Sequence, residues 1–144
     1  MSTSKLTDSD RKRIEDALST VPFAKLLGIK LDSVEPGDAT LSLQIRDDFK
    51  QNAGVVHGGV IASLIDSATA FAIIPLLNAD ERTTTVDLTI SYLMPLTAGS
   101  MVARAKVLRA GKRLIVVSAE LFDDGPNLAA TALSTYVRLP SKPR

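Results

Sequence analysis

The chain has 144 residues, 45% of them apolar, and a net charge of +1 from 17 basic and 16 acidic side chains. That is one ordinary domain with enough apolar mass for a full core, and its charge balance leaves no footprint for nucleic acid or an anionic membrane. Cysteine is absent and histidine occurs once, which excludes disulfides, thiolate zinc sites and a cysteine nucleophile, and leaves too few ligands for a His-rich metal site.

Residues 1–21 read as a helical extension. They contain no apolar h-region, so no secretion signal is expected and the cytoplasm is the expected compartment. Thr7 followed by Asp10 has the form of a capping box, and Ile14, Ala17, Leu18 and Val21 follow at helical spacing, with Arg11 to Arg13 outward. Pro22 to Leu27 predicts a second short helix that stops at Gly28. Its Phe23, Leu26 and Leu27 are expected to pack on a sheet or border a pocket. From Ile29 the period changes to two, and Glu35-Pro36-Gly37-Asp38 predicts the turn of a hairpin that ends at Ile45. Residues 46–50 form a polar loop.

The next stretch, residues 51–74, organises the chain. It holds the single histidine and three of the eight glycines. A helix is predicted from Gly58 to between Pro75 and Asn78, apolar on nearly every side, with Asp66 in its middle. The window Gly58 to Leu77 has the length of a membrane span, but the central acid and the lack of flanking basic residues favour a buried soluble helix. Four strands are expected after it. In the first, Thr84 to Leu93, Val86, Leu88, Ile90 and Tyr92 would share one face, and Thr85, Asp87, Thr89 and Ser91 the other. Runs 100–109 and 113–122 flank a turn at Gly111, residues 128–139 form the last strand, and residues 140–144 a loose tail. The whole is a single α+β domain, with a curved antiparallel sheet around one apolar helix.

Two features of the central stretch carry chemistry. The first N–H groups of a helix lack internal partners and bear partial positive charge, and Gly58 and Gly59 let a ligand come close to them. That suits a phosphate or a carbonyl oxygen gaining negative charge, although His57-Gly58-Gly59 would also serve as a tight lead into a packed helix. Asp66 costs desolvation energy inside an apolar helix unless it is paired, protonated or open to a wet cleft. It lies eight residues after Gly58, about 12 Å along a helix axis, whereas a general base works within about 3 Å of its target. If both act on one group, two antiparallel copies of the helix must supply them. Otherwise Asp66 is a structural acid bound to Ser67 or Thr69.

Three segments together resemble the hotdog-fold acyl-CoA thioesterases, and within them the PaaI-type (phenylacetic acid degradation) branch. They are Phe23 to Leu31, Asn52-x-Gly54-x-x-His57-Gly58-Gly59 with Asp66 downstream, and Thr85-Val86-Asp87-Leu88 with Tyr92 and Pro95. The resemblance spans residues 22–138. It implies a curved antiparallel sheet around a central helix, a homodimer often doubled to a homotetramer, and thioester hydrolysis at the dimer interface without metal or cofactor. It implies that the Gly58 amide polarises the thioester carbonyl, that the partner's Asp66 is general base or nucleophile, that Thr85 holds the water or Asp66, and that His57 and Gly59 position the substrate. Related enzymes carry a water-positioning Asn three residues before the loop glycine. Here Gln51 stands there, with Asn52 one residue later, so either amide can take that role.

Arg109, Lys112 and Arg113 surround Gly111 on a hairpin and would suit the phosphates of CoA, or else form a solvated turn. The leading expectation is hydrolysis of an acyl-CoA to free acid and CoA. The alternative is an acyl-CoA sensor or carrier without turnover. A hydratase of the same fold would need a His paired with an acid, which the setting of His57 does not provide.

Overall fold

The computed structural model describes residues 5–141. Three α-helices, α1 (Asp8–Ser19), α2 (Pro22–Leu27) and α3 (Gly58–Ile73), accompany six strands: β1 (Lys30–Glu35), β2 (Asp38–Gln44), β3 (Glu81–Tyr92), β4 (Ser100–Ala110), β5 (Leu114–Phe122) and β6 (Leu128–Pro140). Short 3₁₀ turns cover Asp47–Phe49 and Ile74–Leu76.

The capping box forms as the sequence predicts. Thr7 Oγ1 accepts from the Asp10 amide, and the Asp10 carboxylate accepts from the Thr7 amide, both at 3.1 Å. Ile14 and Leu18 are the buried stripe of α1, and Arg11 reaches across to Glu35 of β1. Val21 does not continue α1. It precedes Pro22 in extended conformation as the N-cap of α2, which Gly28 ends at φ 75°, a left-handed value that favours glycine.

All strand pairs are antiparallel, in the order β1-β2-β4-β5-β6-β3. The helix α3 lies across this sheet. Its Leu64, Ile65, Ala68, Ala72 and Ile73 are sealed against Leu41, Leu43, Met101, Ile115, Val117 and Leu121. Alanines at 103, 105, 119, 130 and 132 line the same concave face. Their small side chains let the helix axis approach the sheet closely.

The sheet covers one side of α3 rather than enclosing it. Gly59 is exposed, and Val60, Ala62, Ser63, Asp66, Ser67 and Ala70 are only part-buried. The composition of the helix predicts cover all round, and the sheet leaves this second side open. Residues Gly58–Leu76 have the length and hydropathy of a membrane span, but the buried half of the helix is committed to the sheet.

The strand β3 is an edge strand, paired only with β6. Its expected alternation fails at one residue. Leu88, Ile90 and Tyr92 stand opposite Ser134, Ala132 and Ala130, but Thr85 stands opposite Tyr136, with the register shifting between Thr85 and Asp87. Val86 is therefore a bulge residue, 60% exposed. It puts Thr85 on the same face as Leu88 and Tyr92 instead of the opposite one. The strand β6 runs through Pro140, and the Ser141 amide donates to Asp80 O at 2.7 Å. The expected loose tail thus loses Pro140 to the sheet and Ser141 to a hydrogen bond with the loop before β3, and residues 142–144 lie outside the described residues.

Leu64 is completely buried between helix and sheet. Leu64→Ala should lower unfolding free energy by about 2–5 kcal/mol in urea titrations, as the cavity adds to the lost transfer energy.

Candidate active site

The loop before α3 is pinned at its base and free at its tip. Phe49 is buried, its carbonyl accepts from the His57 amide at 2.8 Å, and Val56 N–H donates to Leu96 O at 2.8 Å. Gln51 N–H donates to Val55 O at 2.9 Å, and Gly54 turns the chain at φ 74°. Asn52 and Ala53 stand exposed at the tip.

His57 is the N-cap of α3. Its Nδ1 accepts from the Gly59 amide at 2.8 Å, so that nitrogen is unprotonated and the neutral ring carries its proton on Nε2. The two glycines have separate reasons. A Cβ on Gly59 would lie 2.9 Å from His57 Nδ1, and a Cβ on Gly58 would lie 3.3 Å from the ring of Tyr92. Tyr92 also donates its hydroxyl to Gly58 O at 3.1 Å. Gly58 N–H has no hydrogen-bond acceptor among the described residues. Gly58 borders a cleft of about 340 Å³, whose wall includes Gln51, Ile61, Tyr92, Met94 and Pro95. Asn52 is not part of that wall.

Asp66 is held two turns further along. Its Oδ1 accepts from Thr85 Oγ1 at 3.0 Å and from the Tyr136 hydroxyl at 3.2 Å. No donor among the described residues reaches Oδ2. Ser67 and Thr69, the partners suggested by proximity in sequence, do not touch the carboxylate: Ser67 turns back to Ser63 O and Thr69 to Asp66 O. Side chains one and three residues ahead on a helix reach backbone carbonyls of the preceding turn more readily than the head group of Asp66. The carboxylate is part-buried, at the edge of the open helix side, and not sealed in the core.

Tyr136 escaped the reading of the sequence. It is 2% exposed, on the inward face of β6, with its hydroxyl 2.8 Å from Thr69 Oγ1. Burial pushes its phenol up to about 12, so it stays a hydrogen-bond donor through the physiological range. With the Thr69 proton on Asp66 O, the Tyr136 hydroxyl, 3.0 Å from Asp66 O and 3.2 Å from Asp66 Oδ1, stands beside Thr85 as a second donor in reach of the carboxylate. One signal was available: an inward-facing tyrosine in an apolar strand needs a polar partner for its hydroxyl.

The basic hairpin lies apart from both features. Gly111 N–H donates to Leu114 O at 2.8 Å, and Gly111 O accepts from Arg138 Nε at 2.9 Å. Arg138 in turn pairs with Glu81 at 2.8 Å. Arg109, Lys112 and Arg113 form no ion pair among the described residues, and none of the three borders the Gly58 cleft. The chain therefore carries an open helix-terminal amide beside a cleft and, about 12 Å along the same helix, a carboxylate fixed through one oxygen.

Other proteins share this sequence and architecture. The medium/long-chain acyl-CoA thioesterase YigI of Salmonella typhimurium is 30% identical over 132 residues, covering 81% of this chain and 85% of that protein. Human acyl-coenzyme A thioesterase 13 is 30% identical over 118 residues, covering 81% and 84%. The PaaI protein of the Escherichia coli phenylacetic acid degradation operon superposes with a TM-score of 0.82 at 25% identity, over 90% of this chain and 92% of that one. The model of the thioesterase superfamily matches residues 53–130, from the loop before α3 to the start of β6, and with the hotdog arrangement of sheet and helix the chain belongs to that superfamily.

Proposed function

We propose that the chain hydrolyses acyl-CoA thioesters to a free acid and CoA, in a site shared by two copies. One observation carries this reading. The open Gly58 amide and the free Oδ2 of Asp66 lie on one helix but too far apart to act on one carbonyl, and the side of α3 that holds Asp66 is uncovered. An antiparallel second helix brings the amide of one copy to the carboxylate of the other. Ala62, Ser67 and Ala70 are small enough for close approach, and the free edge of β3 offers unpaired backbone to its counterpart. The named acyl-CoA thioesterases among the relatives support the substrate class. Leu108, Leu114 and Leu133, exposed on the far side of the sheet, suit the pairing of dimers into a tetramer.

In this mechanism the thioester carbonyl oxygen accepts from Gly58 N–H. Asp66 Oδ2 takes a proton from water as the water oxygen bonds to the carbonyl carbon. The resulting oxyanion is held at the positive end of the helix. The C–S bond then breaks, and the proton leaves with the thiolate of CoA. Gln51, on the cleft wall, holds the water or carbonyl through its amide, while Asn52 meets substrate only outside the cleft. His57 occupies Gly59 N–H and so fixes the helix start without spending the amide of Gly58. Thr85 and Tyr136 orient the carboxylate, and Arg109, Lys112 and Arg113 contact phosphates of CoA.

Asp66→Asn should lower kcat about a hundred- to ten-thousand-fold in a thiol-release assay over an acyl-CoA panel. Retained wild-type activity would remove Asp66 from the mechanism, and tight binding by the wild type without thiol release would make the protein a carrier.

The shared site has its own test. Gly58→Pro deletes the amide proton at the first helical position, after a His57 already at ψ 133°, and its Cβ, 3.3 Å from the ring of Tyr92, needs only a small shift of that exposed side chain. Gly58→Pro and Asp66→Asn should each be inactive alone. Mixed, unfolded and refolded together, they should recover about a quarter of wild-type activity, since half the dimers are mixed and each has one intact site. No recovery between folded variants would place the site within one chain.

Tyr136→Phe should lower kcat about ten- to a hundredfold with little change in KM, the worth of one hydrogen bond to a charged group. Tyr136 also makes stability depend on pH. With its phenol raised from 10.0 to about 12, the contribution is complete below the pKa of the free phenol and is lost as pH climbs through the folded value. Denaturant titrations of Tyr136→Phe should lack this alkaline loss.

A further inference from the structure

We propose that the start of α3 divides the substrate, with the acyl chain running into an apolar groove beneath α2 and the pantetheine arm lying in the cleft on the other side of Gly58. This inference rests on the acyl-CoA reading above. Gly58 borders the 340 Å³ cleft, and the next residue, Gly59, borders a second hollow of about 320 Å³ between α2 and α3. Successive helix residues point about 100° apart, so the two hollows flank the terminal amide on different sides. A thioester carbonyl bound at that amide has two substituents, the acyl carbon and the sulfur, which leave it in different directions. Each then has a hollow to occupy.

The chemistry of the walls decides which is which. The groove is walled by Phe23, Leu26, Leu27, Phe49 and Val60. Phe23 and Leu26 stand 52% and 65% exposed, large apolar side chains on a six-residue helix whose Ala24 and Leu27 are already buried. Exposed apolar surface gathered in a hollow is the mark of a binding groove. Its floor is made of Gly59, without a side chain, and Ser63, whose hydroxyl turns back to Gly59 O at 2.7 Å and shows no free donor to the groove. The charges at the rim are already engaged. Arg46 lies over the Phe49 ring at 4.1 Å, bonds Leu26 O and Asp48, each at 3.1 Å, and leaves little for a charged acyl end. The acyl class is therefore an uncharged hydrocarbon, aliphatic or aromatic. On the other side, Tyr92 lines the Gly58 cleft, and its hydroxyl, with the proton on Gly58 O, still has lone pairs to accept from an amide N–H of pantetheine.

The test is chain-length preference. Straight-chain acyl-CoAs from butyryl to palmitoyl are assayed for thiol release, and unreactive analogues with a methylene in place of the thioester sulfur are titrated by calorimetry. In the wild type kcat/KM should climb with length until the groove is full. Leu26→Trp, a change at an exposed residue, should cut that climb short and lower the ratio of dodecanoyl to butyryl activity by about tenfold or more, since each buried methylene is worth about fourfold. Leu93→Trp, in the opposite cleft, should lower all lengths alike. Parallel length profiles for wild type and Leu26→Trp, or a length-selective effect of Leu93→Trp instead, would overturn the division. If no ester is hydrolysed, the analogues decide. A length-dependent affinity cut short by Leu26→Trp keeps the groove and removes hydrolysis, affinity independent of length removes the groove, and no binding of any analogue removes both.

Discussion

The tie between Asp66 and two hydroxyls of the sheet is the interaction on which the site depends. A carboxylate in the middle of an apolar helix has three ways to be tolerated: a cation, a proton, or neutral hydrogen-bond donors with access to water. This chain takes the third. No lysine or arginine lies within salt-bridge distance of Asp66 among the described residues, and Thr85 and Tyr136 both donate to the same oxygen. The two hydroxyls fix the rotamer of the carboxylate. Because both bonds fall on Oδ1, the other oxygen keeps its lone pairs.

The tie also explains an irregular feature of the sheet. Thr85 and Tyr136 face each other across the last two strands in sheet order, so the carboxylate is held by the strand pair at the free edge. The bulge at Val86 sits one residue from the contact. An extra residue sharpens local twist and re-aims its neighbours, and here Thr85 keeps the helix-facing orientation while the remainder of β3 keeps its own. Edge position and bulge together leave the carboxylate beside an uncovered helix side rather than inside the core.

Much of this was legible in the residues. Capping at Thr7, the stop at Gly28, the hairpin at Gly37 and the start of α3 at Gly58 all follow from local chemistry that acts over a few residues. The separation of Gly58 and Asp66 also follows, since helix rise is nearly invariant. What the residues hid was long-range. Strict alternation put Thr85 and Val86 on the wrong faces because a bulge adds one residue without any glycine to mark it. Tyr136 lies 70 positions from Asp66, and only the register of β6 against β3 and β5 brings them together. Composition alone also made α3 look enclosed, when its small and polar positions gather on one uncovered side.

That uncovered side has a consequence for regulation by concentration. In the shared-site mechanism a lone protomer holds an oxyanion amide without a base and a base without an amide. Activity then follows the fraction of chains in dimers, and whatever binds across the helix pair stabilises the dimer by mass action. In that mechanism an acyl chain in the α2 groove at Gly59 would lie against the same helix side that a partner would cover. Substrate and subunit would thus share one surface, and the apolar residues of α3 that look excessive for a single protomer have a use in both contacts.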